Sequence, residues 1–167
     1  MAYVLSGDGR DTDVAGTFRR YKEYLLSAKD IFPPSAFALA TSDWYFDFSD
    51  HRCPHDAWLE TVELREPSSG ERHERRATAI KMRLLGAYHD GYIELHYPRV
   101  FSYRLDAANG EGGHGDWRYD ELRVSERGTL IHEIEWRGLP GTRESRWIIE
   151  ASDLKFEWQW SSSKSEL

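Results

Sequence analysis

The fold is decided by residues 91–105, which read GYIELHYPRVFSYRL. The large apolar and aromatic side chains of this stretch fall on odd positions: Ile93, Leu95, Tyr97, Phe101, Tyr103 and Leu105. Alternation with a period of two is typical of a strand that buries one face. A two-residue hairpin at Pro98 and Arg99 would break this parity. The sequence therefore predicts one continuous strand, in which Pro98 marks an edge or a bulge.

The same alternation continues on both sides of this strand. Further strands are predicted at about 56–66, 75–85, 116–125, 130–136, 146–150 and 154–160. Seven strands joined mostly by short connections favour an antiparallel meander that curls into a barrel or a sandwich. The high aromatic content, with 7 Trp, 9 Tyr and 7 Phe, is typical of such a β-rich core. The predicted fold class is therefore mainly β.

The N-terminal part of the chain has a helical period instead. Apolar residues recur there in steps of four and three: Val14, Phe18, Tyr21, Leu25 and Ala28. Asp13 can cap this helix, and residues 7–13 before it read as a polar loop. A second short helix can begin at Pro34, because proline is well tolerated at the first position of a helix.

These patterns predict a single domain over residues 1–160. It consists of a helical segment at 14–43 and an antiparallel sheet at 55–160. Residues 161–167 are rich in serine and polar, and we predict a disordered tail.

Charge and composition limit the classes of partner. The formal net charge is −7, and no long basic stripe occurs, so neither nucleic acid nor an anionic membrane is an expected partner. No apolar stretch is long enough to span a bilayer. A basic protein partner is compatible with the charge, and an exposed edge strand near Pro98 could support a homodimer.

The compartment is predicted from the same composition. The single cysteine, Cys53, excludes an internal disulfide and fits a reducing compartment. The N-terminus shows no signal-peptide pattern, so we expect a cytoplasmic protein. Arginine far outnumbers lysine, as is typical of GC-rich bacterial genomes.

Strand direction predicts which candidate residues share an end of the sheet. In an antiparallel meander, the start of the first strand and the turn between the second and third lie at the same end. That end would hold His55 and Asp56 together with His89 and Asp90. The opposite end would gather the long loops at 66–75, 106–115 and 137–145, with His114 among them. The candidate binding residues are therefore His55, Asp56, His89, Asp90 and His114.

The sequence predicts no metal ion and no cofactor. His51, Cys53 and His55 are spaced by two and could face one way toward zinc, completed by Asp56 or His89. However, the usual zinc signatures separate their ligand pairs by a longer gap, and Pro54 disturbs the alternation.

No catalytic residue is predicted either. Adjacent residues on a strand face opposite sides, so neither His-Asp pair can form an internal dyad, although His89 could meet Asp56 across strands. Turn and strand-entry roles explain these residues more simply. Cys53, beside Arg52 and two histidines, could have a lowered pKa.

One later strand carries both a buried histidine and two acids. His132 lies on the apolar face with Leu130 and Ile134, and we expect a hydrogen-bonded core histidine. Glu133 and Glu135 face away from that side, and we expect them to be solvated.

Part of the chain resembles a known group of proteins. The step Pro54-His-Asp-Ala-Trp-Leu59, a hairpin and then Gly91-Tyr-Ile-Glu-Leu-His-Tyr97 are similar to a pattern in small uncharacterised bacterial proteins. Some of those proteins are assigned as immunity proteins of polymorphic toxin systems. The resemblance covers about residues 55–105 and implies a binding protein without catalytic residues.

Three functions follow from these observations. The first is an uncharacterised bacterial interaction protein, immunity-like and without catalytic activity. The second is a small-molecule-binding β barrel, because a curled meander with an aromatic interior can enclose an apolar ligand. The third is an enzyme that uses the cluster of His55, Asp56, His89 and Asp90.

Overall fold

The computed structural model describes residues 2–5, 7–107, 113–138 and 144–161. The helices are α1 (Gly7–Thr12), α2 (Val14–Ser27), a short 3-10 helix (Lys29–Ile31) and α3 (Pro34–Ala40). The strands are β1 (Trp58–Arg65), β2 (Ser68–Ser69), β3 (Arg75–Arg76), β4 (Thr78–Leu85), β5 (Gly91–Leu105), β6 (Asp116–Val124), β7 (Leu130–Arg137), β8 (Ser145–Ala151) and β9 (Lys155–Trp160). The predicted class, mainly β and antiparallel with an N-terminal helical segment, is confirmed. The predicted tail at 161–167 and the predicted loops at 106–115 and 137–145 fall partly on 162–167, 108–112 and 139–143, which lie outside the described residues.

Six strands close into a ring, so the fold is a barrel. β4 pairs with both β1 and β5, β5 continues through β8 and β7 to β6, and β6 returns to β1. The junction of β1 with β6 is short, with Trp58 opposite Asp116. Two backbone hydrogen bonds extend it, from Asp56 N to Trp117 O at 2.8 Å and from Trp117 N to Ala57 O at 2.9 Å. This junction fixes the segment before β1 against the start of β6.

The continuous strand predicted at 91–105 is confirmed, and Pro98 lies in its interior. The single buried face predicted for it is wrong beyond Pro98, where Val100 is buried while Phe101 and Tyr103 are 46% and 48% exposed, because the pairing register shifts there on both sides. β5 pairs with β4 along one edge, and with β9 and then β8 along the other. Pro98 falls between the β9 and β8 pairings and faces a register shift in β4, where a missing N–H costs no ladder hydrogen bond. The exposed edge expected near Pro98 is therefore wrong, because both sides of the strand are covered. A homodimer through that edge loses its support.

The barrel interior is filled by aromatic side chains around one buried acid. Trp117, Trp136 and Trp147 are fully buried, with neighbouring ring centroids 5.1–5.4 Å apart. Asp120 accepts hydrogen bonds from Trp117 Nε1 (3.1 Å), Tyr45 OH (2.6 Å) and His132 Nε2 (3.0 Å).

The other imidazole nitrogen of His132 is also hydrogen-bonded. Its Nδ1 lies 2.7 Å from the hydroxyl of Tyr97, and the side chain is fully buried. Both nitrogens thus have partners within the core. The prediction of a hydrogen-bonded core histidine is confirmed.

The N-terminal residues cover the outer face of β6, β7 and β8. Val4 and Leu5 are buried there, and Glu121 Oε2 accepts from the backbone N–H groups of Tyr3 (2.8 Å) and Leu5 (3.2 Å). The polar loop expected at 7–13 is wrong, because most of it forms α1.

This covering buries the two acids that were expected to be solvated. Glu135 is 1% exposed and pairs with Arg10 (3.1 Å) and Arg146 (3.3 Å). Glu133 is also buried and pairs with Arg123 and with Arg146. The expectation is wrong because strand alternation shows only which side faces outward, and α1 and the residues before it then cover that side.

Helix α2 is capped by its own sequence and anchored to the barrel by hydrogen bonds. The predicted cap of α2 is confirmed, since Asp13 Oδ1 accepts from Gly16 N at 2.9 Å. Tyr21 on α2 exchanges hydrogen bonds with the backbone of Leu122 on β6.

Among the described residues, none of the helices has the length and apolar character needed to cross a membrane.

Candidate binding surface

The short-turn end of the barrel gathers four of the five predicted candidate residues. His55 and Asp56 precede β1, and His89 and Asp90 lie in the turn between β4 and β5. The two segments meet because Trp58 pairs with Leu85 at the start of β1. The rings of Trp58 and His89 lie 4.4 Å apart in an edge-on contact.

Asp90 is hydrogen-bonded to His51, a pairing that the sequence analysis did not predict. Its carboxyl group is buried, and Oδ2 accepts from His51 Nδ1 at 2.7 Å. His51 comes from the turn-rich segment before β1, and its side chain is 41% exposed. A half-exposed imidazole fixed by a buried carboxyl group presents its second nitrogen in a defined direction.

The contact considered between His89 and Asp56 is not formed. His89 packs on Trp58 instead. Asp56 Oδ1 lies 3.5 Å from His55 Nε2 and 3.8 Å from Arg118 Nη1. Asp56 and His89 both have positive φ, at 62° and 55°. Sharp local turns therefore direct the two side chains, as turn chemistry predicts.

His55 is held against β6 in one neutral form. Its Nδ1 lies 2.6 Å from Arg118 O, and its Nε2 lies 3.1 Å from Arg118 Nη1. A guanidinium group only donates, so Nε2 accepts and Nδ1 carries the proton. Burial lowers the pKa of His55, and the guanidinium of Arg118 lowers it further, against the opposing effect of Asp56. Phe48 stacks on the ring at a centroid distance of 3.9 Å.

Four exposed aromatic side chains surround these histidines. They are 45–62% exposed: Phe48, Trp58, Tyr88 and Trp160. Tyr88 stacks on His51 at 4.3 Å, and Trp160 lies 5.9 Å from the same ring. The hydroxyl of Tyr88 also donates to the carbonyl of Phe48 at 3.1 Å. We define the aromatic–histidine surface as these residues with their histidines: Phe48, His51, His55, Trp58, Tyr88, His89 and Trp160.

Sequence reasoning missed the aromatic half of this surface. A signal was present, because Trp58 and Tyr88 stand within three residues of a predicted candidate histidine and Trp160 ends a predicted strand. The missing information was the conformation of the segment before β1. The fold of that segment places Phe48 against His55 and His51 against Asp90, at the short-turn end of the barrel.

The rim of the aromatic–histidine surface is charged. Arg52 binds Asp50 through two hydrogen bonds of 2.9 and 2.8 Å, which lower the pKa of Asp50 to about 2. On another side, Arg118 lies near Asp56. Apolar centres with paired charges at the rim are typical of protein interfaces.

The structure separates the three residues weighed as zinc ligands. Cys53 is buried, and its Sγ donates to Tyr45 O at 3.0 Å. Burial raises the pKa of its thiol to about 12, so the lowered pKa considered from the sequence is wrong. His51 and His55 are bound to Asp90 and Arg118. Across the described ranges, no group of three or more His, Cys, Asp or Glu side chains is placed to hold a metal ion.

His114, the fifth candidate, lies at the other end of the barrel. Its ring packs against Trp147 and Trp136, with centroids 4.9 and 5.7 Å away. Burial lowers its pKa. The structure therefore divides the predicted residues between two ends.

Comparisons with known proteins were made at three levels. Protein-family models, curated proteins and solved structures give no match to this chain. The aromatic–histidine surface offers aromatic faces, one oriented imidazole and a paired polar rim.

Proposed function

We propose that this chain is a non-catalytic binding protein of the immunity type, which holds a protein partner on the aromatic–histidine surface. The observation that carries the proposal is the contiguity of four exposed aromatic side chains with three histidines. Large exposed apolar patches on a single chain commonly mark interaction sites. Trp and Tyr are also the residues that most often dominate binding energy.

The geometry of this surface suits an interface with a fixed centre. Trp58 and Trp160 supply large anchors with few rotatable bonds. His51 lies between Tyr88 and Trp160, and its bond to Asp90 restrains the ring before a partner arrives. Restraint before binding reduces the entropy lost on association.

The net charge favours a basic protein as the partner. At −7, the chain attracts positively charged surfaces over several ångströms and speeds their encounter. We place the complex in the cytoplasm of a bacterium, where the single thiol Cys53 remains reduced.

Two features favour this proposal over the ligand-filled barrel and the enzyme. Between the two ends, the described interior is filled by fully buried side chains such as Trp117, Tyr97 and Ile134. Within the four-residue cluster considered for catalysis, His55 is engaged by Arg118 and His89 packs on Trp58.

The proposal is tested by using the chain as bait in an extract of its source organism. The test variant is Trp58→Ala with Trp160→Ala. The matched control is Leu26→Ala with Ile31→Ala, which removes two equally exposed apolar side chains from the helical segment. We expect one partner to bind the natural chain and the control but not the test variant, with circular dichroism unchanged for all three. A partner that still binds the test variant would contradict the proposed surface.

The immunity role has its own readout. The captured partner is expressed in cells with and without this chain, and growth is followed. We expect the partner to arrest growth alone, and co-expression of this chain to restore it. A partner that is harmless by itself would remove the immunity role.

A further inference from the structure

Three buried polar atoms at the loop-rich end have no hydrogen-bond partner among the described residues: His114 Nδ1, Trp136 Nε1 and Ser145 Oγ. Trp136 is fully buried, and Ser145 is 5% exposed. Buried polar groups in native proteins almost always have a partner. Three such atoms in one region indicate a group that is supplied from outside the chain.

The three atoms belong to one cluster inside the barrel. Trp136 and Ser145 are paired residues of β7 and β8, and both face inward. The ring of His114 packs against Trp136 and Trp147. We call His114, Trp136, Ser145 and Trp147 the mouth cluster.

Gly115 explains how His114 reaches this position. Its φ is +76°, and a Cβ at this residue would lie 2.3 Å from Arg137 O. The backbone after His114 therefore runs directly against the end of β7, an approach that only glycine allows. The ring of His114 therefore packs against Trp136 near the end of β7 and against Trp147 near the start of β8.

The exposed chemistry of the mouth cluster limits what it can bind. The indole N–H of Trp136 only donates, so the ligand must present an acceptor. Ser145 can donate to the same acceptor. Burial lowers the pKa of His114 and so favours its neutral ring, in which the nitrogen that carries no proton can accept from a ligand N–H. With no charge in the cluster, burying an ion there would be costly, and the indole faces favour a flat ring.

We propose that the mouth cluster binds a small, uncharged, planar cyclic amide, the group found in 2-pyridone and in pyrimidine bases. The carbonyl oxygen accepts from Trp136 Nε1 and Ser145 Oγ, and the ring N–H donates to His114 Nδ1. The ring face packs against Trp147. This site goes beyond the proposed protein interface and lies at the opposite end of the barrel.

The test follows the indole N–H signals of the ¹⁵N-labelled chain by NMR during titration with 2-pyridone. Trp136→Phe assigns the signal of Trp136. We expect that signal to shift and saturate at millimolar probe, while the signals of Trp58 and Trp160 stay in place. A Trp136 signal that does not move, or that moves without saturation, would show that only water fills the cluster and would overturn the proposal.

Two variations separate the hydrogen bonds from packing. Ser145→Ala removes an unpartnered hydroxyl, so the melting temperature should be unchanged or raised while affinity for 2-pyridone falls about tenfold. Ser152→Ala, an exposed serine after β8, is the matched control and should leave affinity unchanged.

N-methyl-2-pyridone lacks the donor and should bind about tenfold more weakly. Equal affinity for both probes, or no effect of Ser145→Ala, would contradict the assigned contacts. Capture of the protein partner by Ser145→Ala should remain intact, so the two proposals can fail separately.

Discussion

Asp120 is the polar residue around which the barrel interior is organised. It accepts from Trp117, Tyr45 and His132, and it is 2% exposed. Asp120→Asn would turn an amide N–H₂ toward some of these donors and leave buried groups unpaired. We expect unfolding in urea to show a loss of about 3 kcal/mol.

The control for this variant is Asp106→Asn at an exposed position. It should change the free energy of unfolding by less than about 0.5 kcal/mol. A loss below about 1 kcal/mol for Asp120→Asn would mean that the three hydrogen bonds do not stabilise the core.

His55 gives the surface a defined response to acid. Its pKa is lowered from 6.5, first by burial, so the folded state favours the neutral ring. Its contribution to stability is complete above pH 6.5 and is lost as the pH falls through the lowered pKa. NMR titration of the ring should give a midpoint below 6.5 in the natural chain.

Arg118→Gln tests the cause of this shift. Removing the guanidinium removes one of the effects that lower the pKa, so the midpoint of His55 should rise while remaining below its ordinary value because burial persists. A midpoint that is unmoved by the substitution would contradict the described contact between Arg118 and His55.

The sequence pattern predicted the surroundings of His132 but not those of Glu135 and His51. His132 was predictable because its neighbours on one strand face are apolar. Glu135 was not, because alternation cannot show that α1 brings Arg10 over the outer face. The bond between His51 and Asp90 depends on loop conformation, which has no periodic signal.

At the scale of elements, α3 depends on a distant cap. Asp153, between β8 and β9, accepts from the backbone N–H groups of Ser35 (3.2 Å) and Ala36 (2.9 Å). Asp153→Ala should lower the free energy of unfolding by about 1 kcal/mol in thermal or urea denaturation. Asp30→Ala, an exposed acid before α3, is the control and should have little effect. Equal losses for both variants would show that the cap does not stabilise α3.

The elements themselves were predictable where one period extends over many residues. β5 is one strand of 15 residues, as its sequence predicted. Its buried face follows the predicted parity only as far as Tyr97, because the register shifts around Pro98 turn Val100 inward and leave Phe101 and Tyr103 exposed. α1 was missed because Gly7 and Gly9 are poor helix formers. Its support comes from a tertiary contact, the pair of Arg10 with Glu135.

At the scale of the whole molecule, the two ends of the barrel have separate chemistry. A filled interior lies between the aromatic–histidine surface and the mouth cluster. The prediction that His55, Asp56, His89 and Asp90 share an end required only strand direction. The same rule predicted that His114 lies at the other end. The unpartnered atoms beside His114 were not predictable, because they depend on how Trp136 and Ser145 pack within the barrel.

The central claim is that the protein partner binds the aromatic–histidine surface, and hydrogen exchange of the complex tests it most directly. Amide exchange is compared by mass spectrometry for the chain alone and with its captured partner. We predict slower exchange in segments 48–58, 86–91 and 156–161, with no change in 60–65 of β1. Protection confined to β1 or α2, with none in those three segments, would contradict the claim.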